Sequence, residues 1–207
     1  AGSEHARHAA RVCRLALLIG RGLMLTDGVL QDLGIAALVH DIGYSQPGGS
    51  FATHTSAGVR VLLRQRGFQH AKVRRLLAVL HHHRDWDAAR PPSVLGRILR
   101  VAEDYDALTR KAGSALSPAL ALARMCADPG RLYDPLSRQA LVNGLGRYPP
   151  GTWLQLADGR VACVRAPATG ELDKPRCYCG QDMIDLAVEG DVARVLSGPP
   201  QDGGRAA

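Results

Sequence analysis

Aromatic side chains are scarce, 4% of 207 residues, with two tryptophans, two phenylalanines and five tyrosines. Proteins that bind single-stranded nucleic acid stack successive bases on such rings, so a nucleic-acid polymer is not the expected partner. The five cysteines, Cys13, Cys126, Cys163, Cys177 and Cys179, are odd in number and scattered. That excludes a fully paired disulfide framework and fits a reducing, cytoplasmic setting. Long apolar runs are also missing. The longest, near 35–39 and 76–80, fall far short of the roughly 20 residues that a bilayer span needs. No stretch joins a basic start to an apolar run and a cleavage site. The chain lacks an initiator Met and its helical pattern is under way by residue 4, so it is expected to be a fragment with a further domain upstream.

What is present is globular composition: 46% hydrophobic and 22% charged residues, enough for one ordinary domain and a small appendage. Lys and Arg total 26 against 19 Asp and Glu, a formal charge of +7, which favours an anionic ligand. From residue 4 to about 146 apolar residues recur at spacings of three and four, as in Val12, Leu15, Ala16 and Ile19, then Ile35, Leu38, Val39 and Ile42. Helices are predicted there, broken at 20–22, 47–50, 88–93 and 128–130 by glycine or proline. Ser117-Pro118 reads as a cap and first-turn proline opening a helix to about Met125. After the turn Tyr148-Pro149-Pro150-Gly151, β-prone runs at 152–156 and 160–165 flank Asp158-Gly159, a hairpin signal, and 176–179 and 183–188 could add strands. The expected organisation is a helical domain at 1–146, a small β extension at 147–197 and a flexible tail at 198–207.

Eight histidines carry the chemistry: His5, His8, His40, His54, His70, His81, His82 and His83. His40 and Asp41 end one apolar helix and His81 and His82 another, while Glu4 and His8, four apart, share a helical face. Several imidazoles beside carboxylates suit Fe, Mn or Zn, and a carboxylate next to a histidine can bridge two ions. Two ions sharing a water bring its pKa toward about 7 and supply hydroxide for attack on a phosphodiester. His5 and His70 have no partner at metal spacing, and Cys177 and Cys179 lack the second pair that a zinc site needs. Lys72, Arg74 and Arg75, with Arg97 and Arg100, flank these motifs and would line an approach for a dinucleotide or form a solvated face. Arg97 and Arg100 could instead neutralise Glu103. Trp86 could stack on guanine or plug its loop.

In order along residues 4–145, His8-Ala9-Ala10-Arg11-Val12, His40-Asp41-Ile42-Gly43, His54 with Gly58, His81-His82 and 101–109, Val-Ala-Glu-Asp-Tyr-Asp-Ala-Leu-Thr, resemble the successive motifs of the HD-GYP family within the HD superfamily of metal-dependent phosphohydrolases. Leu132-Tyr133-Asp134-Pro135 is similar to its late motif. The resemblance implies a mainly α fold, an HD-domain helical bundle, with the small C-terminal β appendage. It also implies two or three divalent ions, Fe or Mn, and hydrolysis of the bacterial second messenger cyclic di-GMP to pGpG or GMP. By similarity His8, His40, Asp41 and Glu103 form the HD quartet with Asp41 bridging and catalytic, His54, His81 and His82 complete the second metal, and Glu4 matches a third-metal carboxylate. Such a chain commonly answers to an upstream sensory or receiver domain.

The sequence departs from the family where substrate is held. Glu103 stands in place of Asp, with Asp104 as a neighbour that could turn in instead, and Tyr44 replaces the lysine that contacts phosphate. The loop after His82 reads His83-Arg84-Asp85-Trp86-Asp87-Ala88-Ala89-Arg90-Pro91-Pro92 without Gly-Tyr-Pro, and Arg110 and Lys111 precede the family's arginine position. Tyr44, Arg110 and Lys111 are the expected substrate contacts. Two main readings follow: an active cyclic di-GMP phosphodiesterase with altered recognition, or a catalytically weak regulatory module that binds a nucleotide or protein partner. An oxidative di-iron centre, found in some HD relatives, is a third.

Overall fold

In the computed structural model, residues 2–64, 70–110, 113–167 and 171–199 are described. Helix α1, Gly2–Gly22, buries Val12, Ala16 and Ile19, the stripe that its spacing predicts, against α2, Asp27–Val39. The break expected at 20–22 falls just after it, because α1 runs through Gly22 and the turn follows at 23–24. A Cβ on Gly20 would come within 2.8 and 2.9 Å of the Leu30 and Leu33 side chains, so the glycine lets α2 approach rather than ending α1.

Helix α2 buries Leu33, Ala36 and Ala37, and after His40 and Asp41 the chain tightens into a 3-10 turn at Ile42–Ser45. That turn lies against α3, His54–Leu63, so closely that a Cβ on Gly43 would sit 1.9 Å from the His54 carbonyl oxygen and 2.7 Å from the Gly58 nitrogen. Only glycine fits there. Helix α4, His70–His81, packs on α2 and α3 and turns Ala78 and Val79 inward. Buried Asp32 of α2 accepts from Arg74 Nε and Arg75 Nε of α4, each at 2.8 Å. Two cations read as a possible anion approach are thus committed to a helix-to-helix ion pair. Helix α5, Val94–Arg110, buries Leu95, Ile98, Leu99, Val101, Ala102 and Tyr105.

By their internal contacts the residues form two compact units, Ala1–Asp106 with Asp128–Leu141, and Ala107–Ala127 with Val142–Ala207. Helices α5 and α7, Pro135–Leu145, each contribute residues to both units. Asp134 opens α7 by accepting from Ser137 N–H at 3.3 Å and Ser137 Oγ–H at 2.6 Å.

The second unit contains α6, Pro118–Cys126, opened as predicted by Ser117, whose hydroxyl accepts from Leu120 N–H. It also contains an antiparallel sheet ordered β4-β3-β2-β1-β5. Strands β1, Trp153–Leu156, and β2, Val161–Ala166, form the predicted hairpin around Asp158-Gly159, where Gly159 has φ of +90°. Strand β3 is Arg176–Cys179 and β4 is Asp182–Asp185. The run expected as a strand to residue 188 ends earlier, because the Asp185 side chain accepts from Ala187 N–H and starts the short helix α8, Leu186–Glu189. Strand β5, Val192–Leu196, was not anticipated, since its residues do not alternate cleanly; it pairs with β1 across a bulge. Leu154, Leu156, Ala162, Val164, Cys177, Ile184 and Leu186 form the core of this sheet. The chain is mainly α with a small C-terminal sheet, as expected. Residues 200–207 of the tail lie outside the described residues.

Candidate metal centre

Five segments deliver polar side chains to one point in the helical unit: α1 (His8), the end of α2 (His40 and Asp41), the first residue of α3 (His54), the segment just past α4 (His82 and His83) and α5 (Glu103). His40, His54 and His82 are fully buried. Each gives Nδ1–H to a backbone carbonyl: His40 to Ala37 at 2.7 Å, His54 to Phe51 at 2.9 Å and His82 to Val79 at 2.7 Å. A carbonyl can only accept, so the proton sits on Nδ1 and each Nε2 presents a lone pair. The Nε2 atoms of His54 and His82 then face each other at 3.2 Å. That arrangement calls for a cation, and the spacing is what two nitrogens about 2.1 Å from one ion would have.

Asp41 divides its carboxylate between two histidine groups. Oδ2 lies 3.4 Å from His40 Nε2 and 3.7 Å from His8 Nε2, whereas Oδ1 lies 3.5 Å from His54 Nε2 and 3.8 Å from His82 Nε2. Glu103 extends the set, with Oε1 3.4 Å from His83 Nε2 and Oε2 3.8 Å from His82 Nε2. Of the two acidic neighbours in α5, Glu103 turns in, while Asp104 pairs with Arg100 at 2.8 Å. Buried His40 Nε2, Asp41 Oδ1 and Glu103 Oε2 have no hydrogen-bond partner among the described residues. Buried polar atoms are rarely left so, and three converging on one point fit divalent ions.

The electrostatics agree. Burial, opposed by Asp41, lowers the pKa of His40. Burial and the neighbouring His40 and His83 bring His82 down to about 2, and burial with His54 and Arg100 brings His83 to about 4. All three are neutral, the ligand form, at ordinary pH. Burial, with Asp41 and Asp104 nearby, holds Glu103 well above the usual carboxylate range; a cation at the centre reverses that balance.

His8 is oriented from behind. Its Nδ1 donates to Asp106 Oδ2 at 2.8 Å, and Arg11 fixes the same carboxylate with Nε to Oδ1 at 2.7 Å and Nη2 to Oδ2 at 3.1 Å. Burial raises the Asp106 pKa, but the bonds from His8 and Arg11 outweigh it and keep Asp106 low and ionised. A carboxylate behind a histidine whose other nitrogen faces a cation site is a recurrent feature of metal centres.

The HD domain family matches residues 6–108, which span this centre. The chain belongs to the HD superfamily. Within it the motif series resembles that of the HD-GYP family. The chain is also similar to Cyclic di-GMP phosphodiesterase PA4108 of Pseudomonas aeruginosa, 29% identical over 230 aligned positions that take in 94% of this chain. It spans 55% of that relative's length.

The HD domain does not gather every residue expected at the site. His81 stays out: its Nδ1 accepts from Ser93 N–H at 3.0 Å, and a Cβ on Gly96 would come within 2.8 Å of the His81 Cβ, so this ring packs on the start of α5. His83, which was not expected among the ligands, joins His54 and His82 as a potential ligand group. The helix ends at His81, and past it Arg100 Nη1 donates to the His83 carbonyl at 2.9 Å, holding the chain so that His83 points inward. Glu4 also stays out: 63% exposed, it accepts from Arg11 Nη2 at 3.2 Å and pairs with Arg7 at 3.5 Å. Tyr44 does reach the centre, its ring stacked on His54 at 4.3 Å and 7°. Arg110, the last residue of α5, is exposed, and Lys111 lies outside the described residues.

Asp106 was legible only as part of a motif. Its place one turn after Glu103, on the same face of α5, was the available signal. The loop that replaces Gly-Tyr-Pro is fastened down: Trp86 N–H donates to Leu132 O and Asp87 N–H to Arg131 O, while Arg97 lies 4.5 Å over the Trp86 ring and donates to Pro92 O. Arg97 therefore serves this loop, and Arg100 pairs with Asp104 and Asp85.

No helix among the described residues is long and apolar enough to cross a membrane.

Proposed function

We propose that the chain is a metal-dependent phosphodiesterase that hydrolyses cyclic di-GMP. The observation that carries this reading is the division of Asp41 between His8 and His40 on one side and His54 and His82 on the other, the form of a bridging ligand. His8, His40 and Asp41 would hold one ion, and His54, His82 and His83 a second, with Glu103 beside His40 and His82. Imidazole and carboxylate together suit Fe or Mn. Such ions supply Lewis acidity toward a phosphodiester and a water that ionises near neutral pH.

The chain's own groups prepare the site. Backbone carbonyls fix three imidazoles with Nε2 inward, Asp106 does the same for His8 with Nε2 toward Asp41, and burial keeps His40, His82 and His83 neutral. Glu103, whose pKa burial holds above the usual carboxylate range, would be favoured in its charged form by a cation at this point. Tyr44 can offer a neutral hydrogen bond where the family has a lysine. Membership of the HD superfamily supports the hydrolase reading, and the relative from Pseudomonas aeruginosa supports the substrate.

A second reading, a metal-loaded regulatory module with little turnover, is favoured by the cations around the centre. Arg11, Arg97 and Arg100 are each committed to a carboxylate or carbonyl. Anaerobic purification with Fe and Mn analysis, followed by assay of cyclic di-GMP breakdown to pGpG or GMP, separates the two. Two or more ions with turnover are expected. One ion or none overturns the multinuclear site, and full loading without turnover moves the assignment to the regulatory module.

A further inference from the structure

Exposed apolar side chains are common and singly mean little. Phe51 differs in where it stands. It precedes α3, and its carbonyl accepts the Nδ1–H of His54 at 2.9 Å, so its backbone is fastened to one of the inward-facing imidazoles. Its ring lies 4.7 Å from the His83 ring and 6.0 Å from the His54 ring, yet the residue is 70% exposed. An aromatic ring is thus held in fixed relation to the metal centre with most of its surface open.

The other aromatics described in the helical unit are already engaged. Tyr105 and Tyr133 are buried, Trp86 carries Arg97 on one face, and Tyr44 is stacked on His54. Arg11, Arg97 and Arg100 are engaged as well, and Tyr44 stands where the family has a lysine. Recognition at this centre is therefore short of charge but retains one open ring.

We infer that Phe51 is a substrate-binding residue on which a purine base of the substrate stacks, so that aromatic contact supplies binding that the missing lysine does not. The inference rests on the phosphodiesterase reading and gives it a specificity element. Base-on-ring stacking is sequence-tolerant and strong enough for its loss to weaken binding roughly tenfold. Because the ring is open and its backbone carbonyl is retained on substitution, Phe51→Ala leaves the His54 bond available.

The test is steady-state kinetics with cyclic di-GMP on Mn-loaded wild type, Phe51→Ala, Phe51→Leu and Phe51→Trp, with bound metal measured in each. Phe51→Ala should raise KM about tenfold with kcat and metal content unchanged. Phe51→Trp should return KM to within about twofold of wild type, and Phe51→Leu should not. A KM that stays within twofold in Phe51→Ala overturns the platform and leaves the phosphodiesterase reading intact. Metal loss in Phe51→Ala that Phe51→Trp does not restore also overturns it, making Phe51 a support for His54 alone. If the wild type turns over no cyclic di-GMP, the phosphodiesterase reading fails, and calorimetric titration of the same Mn-loaded proteins with cyclic di-GMP decides the platform. Binding weakened about tenfold in Phe51→Ala supports it; equal binding, or none by wild type, overturns it.

Discussion

At the middle of the helical unit are three fully buried histidines and buried carboxylate oxygens without hydrogen-bond partners among the described residues, whereas the core of the sheet is leucine, valine, isoleucine, alanine and one thiol. Burial pushes the Cys177 thiol up to about 12, so it stays protonated and packs as an apolar group. The sheet core is stabilised by what it removes from water. The metal centre also removes groups from water, but theirs is an unfavourable transfer until a cation answers the lone pairs. One interior is complete as folded, and the other is completed by binding, so ion loading should move the stability of the helical unit by linkage.

The largest expected effect separates the two at once. Asp41→Ala removes the carboxylate whose two oxygens face the two histidine groups. It should cut cyclic di-GMP turnover by at least about 10³-fold and lower the number of ions bound per chain, measured by metal analysis beside the assay; unchanged turnover contradicts the bridge. Leu156→Ala tests the other interior. Leu156 is buried in the sheet core, and its truncation should cost about 2–5 kcal/mol in urea unfolding while the folded protein keeps its full metal content.

A smaller change lies behind the ligands. Asp106→Asn keeps the shape but removes the charge that orients His8 and receives Arg11, and should weaken metal binding about 10- to 100-fold, read by chelator competition. A variant with wild-type affinity would reduce Asp106 to packing.

The smallest effect is graded with pH. Histidine in the unfolded chain takes a proton near its ordinary 6.5, while His83 resists to about 4 and His82 to about 2. Between those values the unfolded chain binds more protons, so the metal-free protein loses stability on acidification, by up to about 1.4 kcal/mol per pH unit for each such histidine. Glu103 acts with the opposite sign. Its folded pKa is raised, so the folded state binds more protons above the ordinary carboxylate value of 4.5, and the metal-free protein loses stability there as pH rises. Urea midpoints across pH 4 to 8 with a chelator should fall away on both sides, and Mn should remove the loss on the alkaline side. A flat metal-free profile would show that these groups are not buried as described.

Much of the site was legible because its ligands sit at helix ends, where a change in hydrophobic pattern marks the boundary. His40 and Asp41 close α2, and His54 opens α3. The choice among His81, His82 and His83 was not legible, because it turns on the residue at which α4 stops and on a bond from Arg100, 17 positions away, to the His83 carbonyl. Asp106 meets His8 across 98 positions, a pairing that no local pattern encodes. Gly20 read as part of a break because sequence alone cannot separate a glycine that ends a helix, as Gly22 does, from one that admits a neighbour. The β1–β2 hairpin was legible from Asp158-Gly159, whereas β5 depends on a bulged pairing with β1.

The close seat of Gly43 fixes the distance between two groups of candidate ligands. His40 and Asp41 lie on one side of this residue and His54 on the other, and the two sides touch peptide to peptide. The separation of the two ligand groups is therefore set by backbone thickness, a dimension that substitution of side chains elsewhere cannot adjust. Adjustment to ions of different radius would then fall to the longer arm of Glu103, while the span across Asp41 stays a fixed gauge.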